Sequence, residues 1–267
     1  MSDESTGEPA HVEDADLSGA RFTRVQLKNA RMRNVDLSGA VLRSVGLVGT
    51  VIDGEIDGLT INGVEVGPLI KAEQERRDPT RAAIAVARDP IRLQAAWEAL
   101  TADWERSYHR VASMPEGTTE LSVMGEWSFT QTLRHLVFAT DAWLAAARRS
   151  PAHFHPAGLP FTDMEEFIDV TAADLGIDRS AALSYHQAVE LRRDRGRAVR
   201  EFLATLTPDA LSEPVIGPPW EHEPLPVLTC LRVILNEEYE HRRFAERDLA
   251  LIEAGSPLVG AEPRPTR

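Results

Sequence analysis

Cysteine is almost absent from this sequence, Cys230 being the single one in 267 residues. That excludes an internal disulfide framework and any all-cysteine zinc site, and its place on an apolar helical face reads as an ordinary core residue. Lysine is nearly absent too: Lys28 and Lys71 stand alone among 29 basic residues, a sign of coding bias and not of mechanism. No apolar run approaches the roughly 18 residues of a membrane span, and no charged-then-apolar leader opens the chain. A cytoplasmic protein is therefore expected. Positive charge is in deficit, the formal net charge being −13, so the basic footprint of a non-specific nucleic-acid binder is missing. What is there is length enough to bury a full core, in one large domain plus something smaller.

Residues 1–14 are small, polar and acidic (Asp3, Glu4, Glu8, Glu13, Asp14), the composition of a disordered tail. From Ala15 a repeat begins. Leu17, Phe22, Leu27, Met32, Leu37, Leu42, Leu47 and Ile52 recur every five residues, each preceded two places earlier by a small or β-branched residue such as Ala15, Ala20 or Val25. After a one-residue slip the register continues at Ile56, Ile61 and Val66. Neither helix nor strand has a period of five, so a repeat architecture is indicated. With Ala-Asp-Leu-Ser-Gly and Val-Asp-Leu-Ser-Gly as its clearest copies, the stretch resembles the pentapeptide-repeat family. The resemblance implies a right-handed quadrilateral β-helix over residues 15–66, about 13 Å tall at strand spacing. So short a stack exposes its ends, and a homodimer through the solenoid is the expected cover. Mimicry of DNA, known among long members of that family, is disfavoured: Arg21, Arg24, Lys28, Arg31, Arg33 and Arg43 face Asp36 alone. The outward positions show no cluster of catalytic residue types, so the solenoid reads as structural.

Residues 67–90, with Pro68, Pro79 and Pro90 around a charged helical piece from Leu69 to Arg77, read as a connector. Beyond it the period turns helical. Leu93, Trp97, Leu100, Trp104, Tyr108 and Val111 mark a first bundle helix. Ser128 with Gln131 is a capping-box signature that opens a second, with His135 two turns inside on a face of small residues (Ala139, Ala142, Ala146). A third is expected from about Ser180 to Leu206, where Arg192 and Gly196 on the inward stripe suggest a space with a cation in its wall. Between the second and third, His153 to Leu175 forms a long loop of the kind that shapes a site, carrying His153 and His155 as weak ligand candidates. The proline-rich Thr207–Pro226 segment, with Trp220 and His222, is expected at the site rim.

The last helix starts near Val227. Glu237 and His241, four residues apart, share one face with Cys230, Ile234, Ala245 and Asp248, while Glu240, Arg242 and Arg243 point outward. The pair suits either a helix-stabilising hydrogen bond or half of a metal site. His135, likewise, suits either a hydrogen-bonded core histidine or a ligand.

Glu126-Trp127-Ser128 leading to His135-Leu136, together with Asn236 to Leu249, resembles the second-helix and last-helix signatures of the DinB-like superfamily over about residues 91–255. The resemblance implies an all-α four-helix bundle with a divalent transition metal (Zn, Ni, Fe or Mn) held by His135, Glu237 and His241. Glutamate at the first place of the terminal pair is the pattern of the mycothiol-dependent maleylpyruvate isomerase branch. Asp248, Arg192 and Gln131 are the expected supporting or pocket residues. Such proteins act as S-transferases or isomerases on a small electrophile with a low-molecular-weight thiol as co-substrate. A non-catalytic metal-binding stress or sensor protein and a pentapeptide-repeat interaction scaffold are the alternative classes. If the metal reading holds, the three donor atoms should lie within about 5 Å of one another even without metal.

Overall fold

The computed structural model describes residues 11–161, 170–256 and 259–260. Of the tail expected to be disordered over 1–14, residues 1–10 lie outside these, as does part of the long loop, 162–169. The chain divides into two compact units, Met1–Gly54 and Glu55–Arg267.

In the first unit the five-residue sequence period becomes a ten-residue structural one. Turns close by hydrogen bonds from Ala20 N to Leu17 O, Ala30 N to Leu27 O, Ala40 N to Leu37 O and Thr50 N to Leu47 O. The third residue of each turn has positive φ and is Gly19, Asn29, Gly39 or Gly49, the residues for which that conformation costs least. Asp16 Oδ1 and Asp36 Oδ1 accept from the amides of Ser18 and Ser38, tightening alternate turns. The expected β-helix is not formed: among the described residues no strand precedes Thr60, and Leu17, Phe22, Met32 and Leu42 are 52–67% exposed. The reason is physical. Turns are set by each quintet's own sequence, whereas a strand ladder and an apolar core require coils to close on one another.

The second unit opens with a hairpin, β1 (Thr60–Ile61) and β2 (Val64–Glu65), pairing Thr60 with Glu65 and Ile61 with Val64. The repeat register through Ile61 and Val66 is thereby corrected: Asn62 (φ 50°) and Gly63 (φ 82°) both take the left-handed conformation, the requirement of a two-residue primed turn that Asn-Gly meets. The supposed connector is two helices, α1 (Gly67–Arg77) and α2 (Pro79–Val86). Asp78 caps α2 through the amides of Thr80 and Arg81 and accepts from the Tyr239 hydroxyl at 3.0 Å. Ile84, 1% exposed, sinks into the main core.

Four long helices follow: α3 (Pro90–Ala112), α4 (Phe129–Ala147), α5 (Tyr185–Thr205) and α6 (Val227–Glu253). The helical domain thus has six helices among its described residues. Both α4 and α3 pack against α5 and α6, so α4 and α6 run in contact. Capping boxes begin α4 (Ser128 with Gln131) and α5 (Ser184 with Gln187). The second box explains why α5 starts at Tyr185 and not near Ser180: the reciprocal Ser–Gln bonds fix the first turn. The main core gathers Leu93, Trp97, Leu100, Val199, Leu231 and Ile234; a second cluster holds Trp104, Tyr108, Phe129, Leu133 and Leu249. Arg242, expected outward, leans onto α3, where its Nε donates to Ser107 Oγ at 3.0 Å. The proline-rich return contains a short ladder, β3 (Pro214–Val215) with β4 (Leu225–Pro226). No helix among the described residues is long and apolar enough to cross a membrane.

Candidate metal centre

His135 lies two turns inside α4; Glu237 and His241 are one turn apart on α6. Contact between these helices brings together side chains 102 residues apart in sequence. One donor atom from each of His135, Glu237 and His241 lies within 4.8 Å of the others. Glu237 Oε2 is the meeting point, 3.3 Å from His135 Nε2 and 3.1 Å from His241 Nε2. A tetrahedral ion with bonds of about 2.0–2.2 Å would need ligand–ligand edges of roughly 3.3–3.6 Å, near the two edges that meet at Glu237. The His135 side chain is 6% exposed, that of His241 18% and that of Glu237 33%, so the cluster opens on its α6 side.

The other imidazole nitrogen defines the electrostatics. His135 Nδ1 lies 2.9 Å from the carbonyl oxygen of Leu159. A carbonyl only accepts, so Nδ1 carries a proton. Burial pushes the His135 pKa down, against the opposing pull of Glu237, and so favours a neutral ring. For Glu237 burial alone would raise the pKa, but contact with the two imidazoles, His135 and His241, outweighs it and holds the carboxyl well below its ordinary range. A neutral imidazole whose proton is committed to Leu159 has nothing left to donate to Glu237. Its Nε2 lone pair then faces a carboxylate oxygen across 3.3 Å, acceptor against acceptor. A cation between them removes the conflict, and a neutral His135 ring with an ionised Glu237 carboxylate suits metal ligation. The triad can hold a metal ion.

Aromatic rings wall the cluster. Trp127, just before the α4 cap, sits 4.5 Å from the His135 ring and stacks on His241 at 5.7 Å. On the other side Phe138 lies 6.0 Å from His135 and stacks in turn on Phe154 and Trp220. Trp220, from the segment expected at the site rim, reaches the triad only through Phe138. Phe244, one turn beyond His241, carries the guanidinium of Arg243 at 4.5 Å over its ring.

The remaining sequence candidates lie elsewhere. Gln131 spends its side chain on the α4 cap, accepting from Ser128 N at 2.8 Å. Asp248 is buried beside Arg247, whose Nε is 2.8 Å away. Arg192 is not the wall of a space: it is buried with Glu238 as an ion pair, donates to the Tyr108 hydroxyl at 3.1 Å and lies over Trp104. Gly196 marks no void either, since a Cβ there would meet Trp97 at 3.6 Å, an ordinary contact. His153 is exposed, and His155 serves its own loop, Nδ1 accepting from Ala157 N. An open groove of about 400 Å³ along α1, lined by Ile61, Val66, Leu69 and Ile70, includes none of the triad. Sequence reasoning missed Leu159, because a backbone carbonyl leaves no residue signature; Trp127 it quoted only as part of a motif.

Residues 10–48 match pentapeptide repeats in 8 copies. No curated protein and no solved structure matches the chain. The DinB superfamily matches residues 92–245, more than half of the sequence and all three members of the triad. With that extent of match, and with the helices that carry His135, Glu237 and His241 in contact, the chain belongs to the DinB superfamily.

Proposed function

We propose that this protein is a metal-dependent enzyme of the mycothiol-using type, an S-transferase or isomerase that joins a low-molecular-weight thiol to a small electrophile. The observation that carries the metal part is the facing of His135 Nε2 and Glu237 Oε2, an arrangement that asks for a cation. His135, Glu237 and His241 would be the ligands, and a divalent transition metal there supplies the stabilisation of a thiolate near neutral pH. Three protein ligands leave room for a further one.

The protein's own residues frame that chemistry. Cys230 cannot be the nucleophile: it is fully buried in the main core, and burial pushes its thiol up to about 11. The thiol must therefore arrive as a co-substrate. Leu159 holds the His135 ring in the tautomer that directs Nε2 inward. Trp127 on one side and Phe138, backed by Phe154 and Trp220, on the other cover the His135 ring.

Elemental analysis of the purified protein and of His241→Ala tests the metal site, with one equivalent expected in the first and a large loss in the second. Turnover of an electrophilic acceptor with mycothiol tests the activity. Bound metal without turnover by any bacterial thiol would leave a metal-binding protein and refute the transferase reading.

A further inference from the structure

Arg134 immediately precedes the candidate ligand His135 and is only 8% exposed. A guanidinium carries five donors, yet among the described residues this one donates through Nε to a single main-chain oxygen, that of Ala157, at 2.8 Å, and one terminal nitrogen is buried with no hydrogen-bond partner. Burial of so poorly matched a cation costs stability, so its retention calls for another explanation. The geometry supplies one. Ala157 lies two residues before Leu159, the residue whose carbonyl accepts from His135 Nδ1. Leu159 N returns a hydrogen bond to Arg134 O at 3.2 Å. Two consecutive helix residues therefore grip one short loop at three points: side chain to Ala157 O, main chain to Leu159 N, and imidazole to Leu159 O.

The loop is shaped for that grip. Gly158 lies between the two anchor points, and a Cβ there would come within 3.1 Å of His155 O and 3.5 Å of Phe138 Cβ. The α4 contact would be ordinary, but the loop's own turn at His155 O would be crowded. Further back, His155 N is tied to Asp141 Oδ2 on α4, and Asp178 N is tied to Pro156 O. The Leu159 carbonyl is thus not a free loop oxygen but one held in place from both directions.

Resting on the metal reading of the triad, we infer that Arg134 is a positioning residue: through Ala157 it holds the Leu159 carbonyl against His135 Nδ1, and so fixes which imidazole nitrogen is presented to a metal and where. Supporting hydrogen bonds of this kind are typically worth 10–100-fold in metal affinity. Arg134→Met keeps the length and apolar stem but removes every donor.

Cobalt(II) binding by chelator competition is the first readout, and the hydrogen-bonded His135 Nδ1–H resonance of the metal-free protein is the second. The expected outcome for Arg134→Met is cobalt affinity weakened about 10–100-fold, with the imidazole N–H resonance exchange-broadened and the fold retained. Unchanged affinity together with a persistent N–H resonance would overturn the inference. Should Arg134→Met fail to fold, Gly158→Ala crowds the same loop at His155 O; the same losses support the clamp, and their absence refutes it. Wild-type protein that takes up no cobalt refutes the metal reading instead, and the N–H resonance then still decides whether Arg134 holds Leu159.

Discussion

Replacement of Glu237 by glutamine should raise the stability of the metal-free protein while abolishing metal binding. In the metal-free state the Glu237 carboxylate faces a His135 nitrogen that has no proton to offer, because that ring donates to Leu159. A glutamine amide is nearly isosteric and carries two donors. Its NH₂ group can donate to His135 Nε2 across the same 3.3 Å, converting an acceptor–acceptor contact into a hydrogen bond. The net value of such a bond is about 0.5–1.5 kcal/mol. For a domain of this size that corresponds to a rise of roughly 1–6 °C in Tm. Differential scanning calorimetry in excess chelator reads the stability, and cobalt titration of the same samples reads the site. A functional centre is where stability is expected to be given up, so gain of one with loss of the other marks the triad as such. A Glu237→Gln protein less stable than wild type in chelator would refute the argument, since it would mean that the carboxylate is already satisfied without a cation.

The neighbouring carboxylate should behave in the opposite way: Glu238→Gln leaves Arg192 buried and unpaired between Trp104 and Tyr108, a loss of about 3–5 kcal/mol, while cobalt affinity of the folded protein stays within a few-fold. Urea denaturation checks it, and Arg192→Met added to Glu238→Gln should recover part of the loss. Acidification should destabilise the chelated protein. Because burial lowers the His135 pKa below its ordinary 6.5, the stability it contributes is present above pH 6.5 and lost as pH falls below it, at up to about 1.4 kcal/mol per unit. Unfolding free energies of wild type and His135→Gln at pH 7.5 and 5.5 give the comparison, the variant being flatter. Trp127, in contact with both imidazoles, should report the site directly: cobalt addition quenches its fluorescence, and Trp127→Phe removes most of that response.

Local sequence determined the parts of this protein whose causes are local. The capping box at Ser128 and Gln131, the apolar stripe from Leu93 to Val111 and the four-residue spacing of Glu237 and His241 each rest on contacts within a few residues, and each is present as written. The turns of the repeat segment belong here too, since Gly19, Asn29, Gly39 and Gly49 carry their own positive φ. What required the tertiary structure was everything made by elements meeting. Whether repeat coils close into a ladder depends on one coil's fit to the next, and a five-residue pattern does not encode that. Arg192 looked like the wall of a cavity until α5 met α6 and Glu238 took its charge. The hairpin at Asn62-Gly63 was hidden because the repeat register ran through it, although its turn chemistry was in plain sight. Above all, the state of His135 is decided by the Leu159 carbonyl, a main-chain atom that any residue would supply; only the path of the chain between Pro156 and Leu159, held against α4 by Arg134, brings it there.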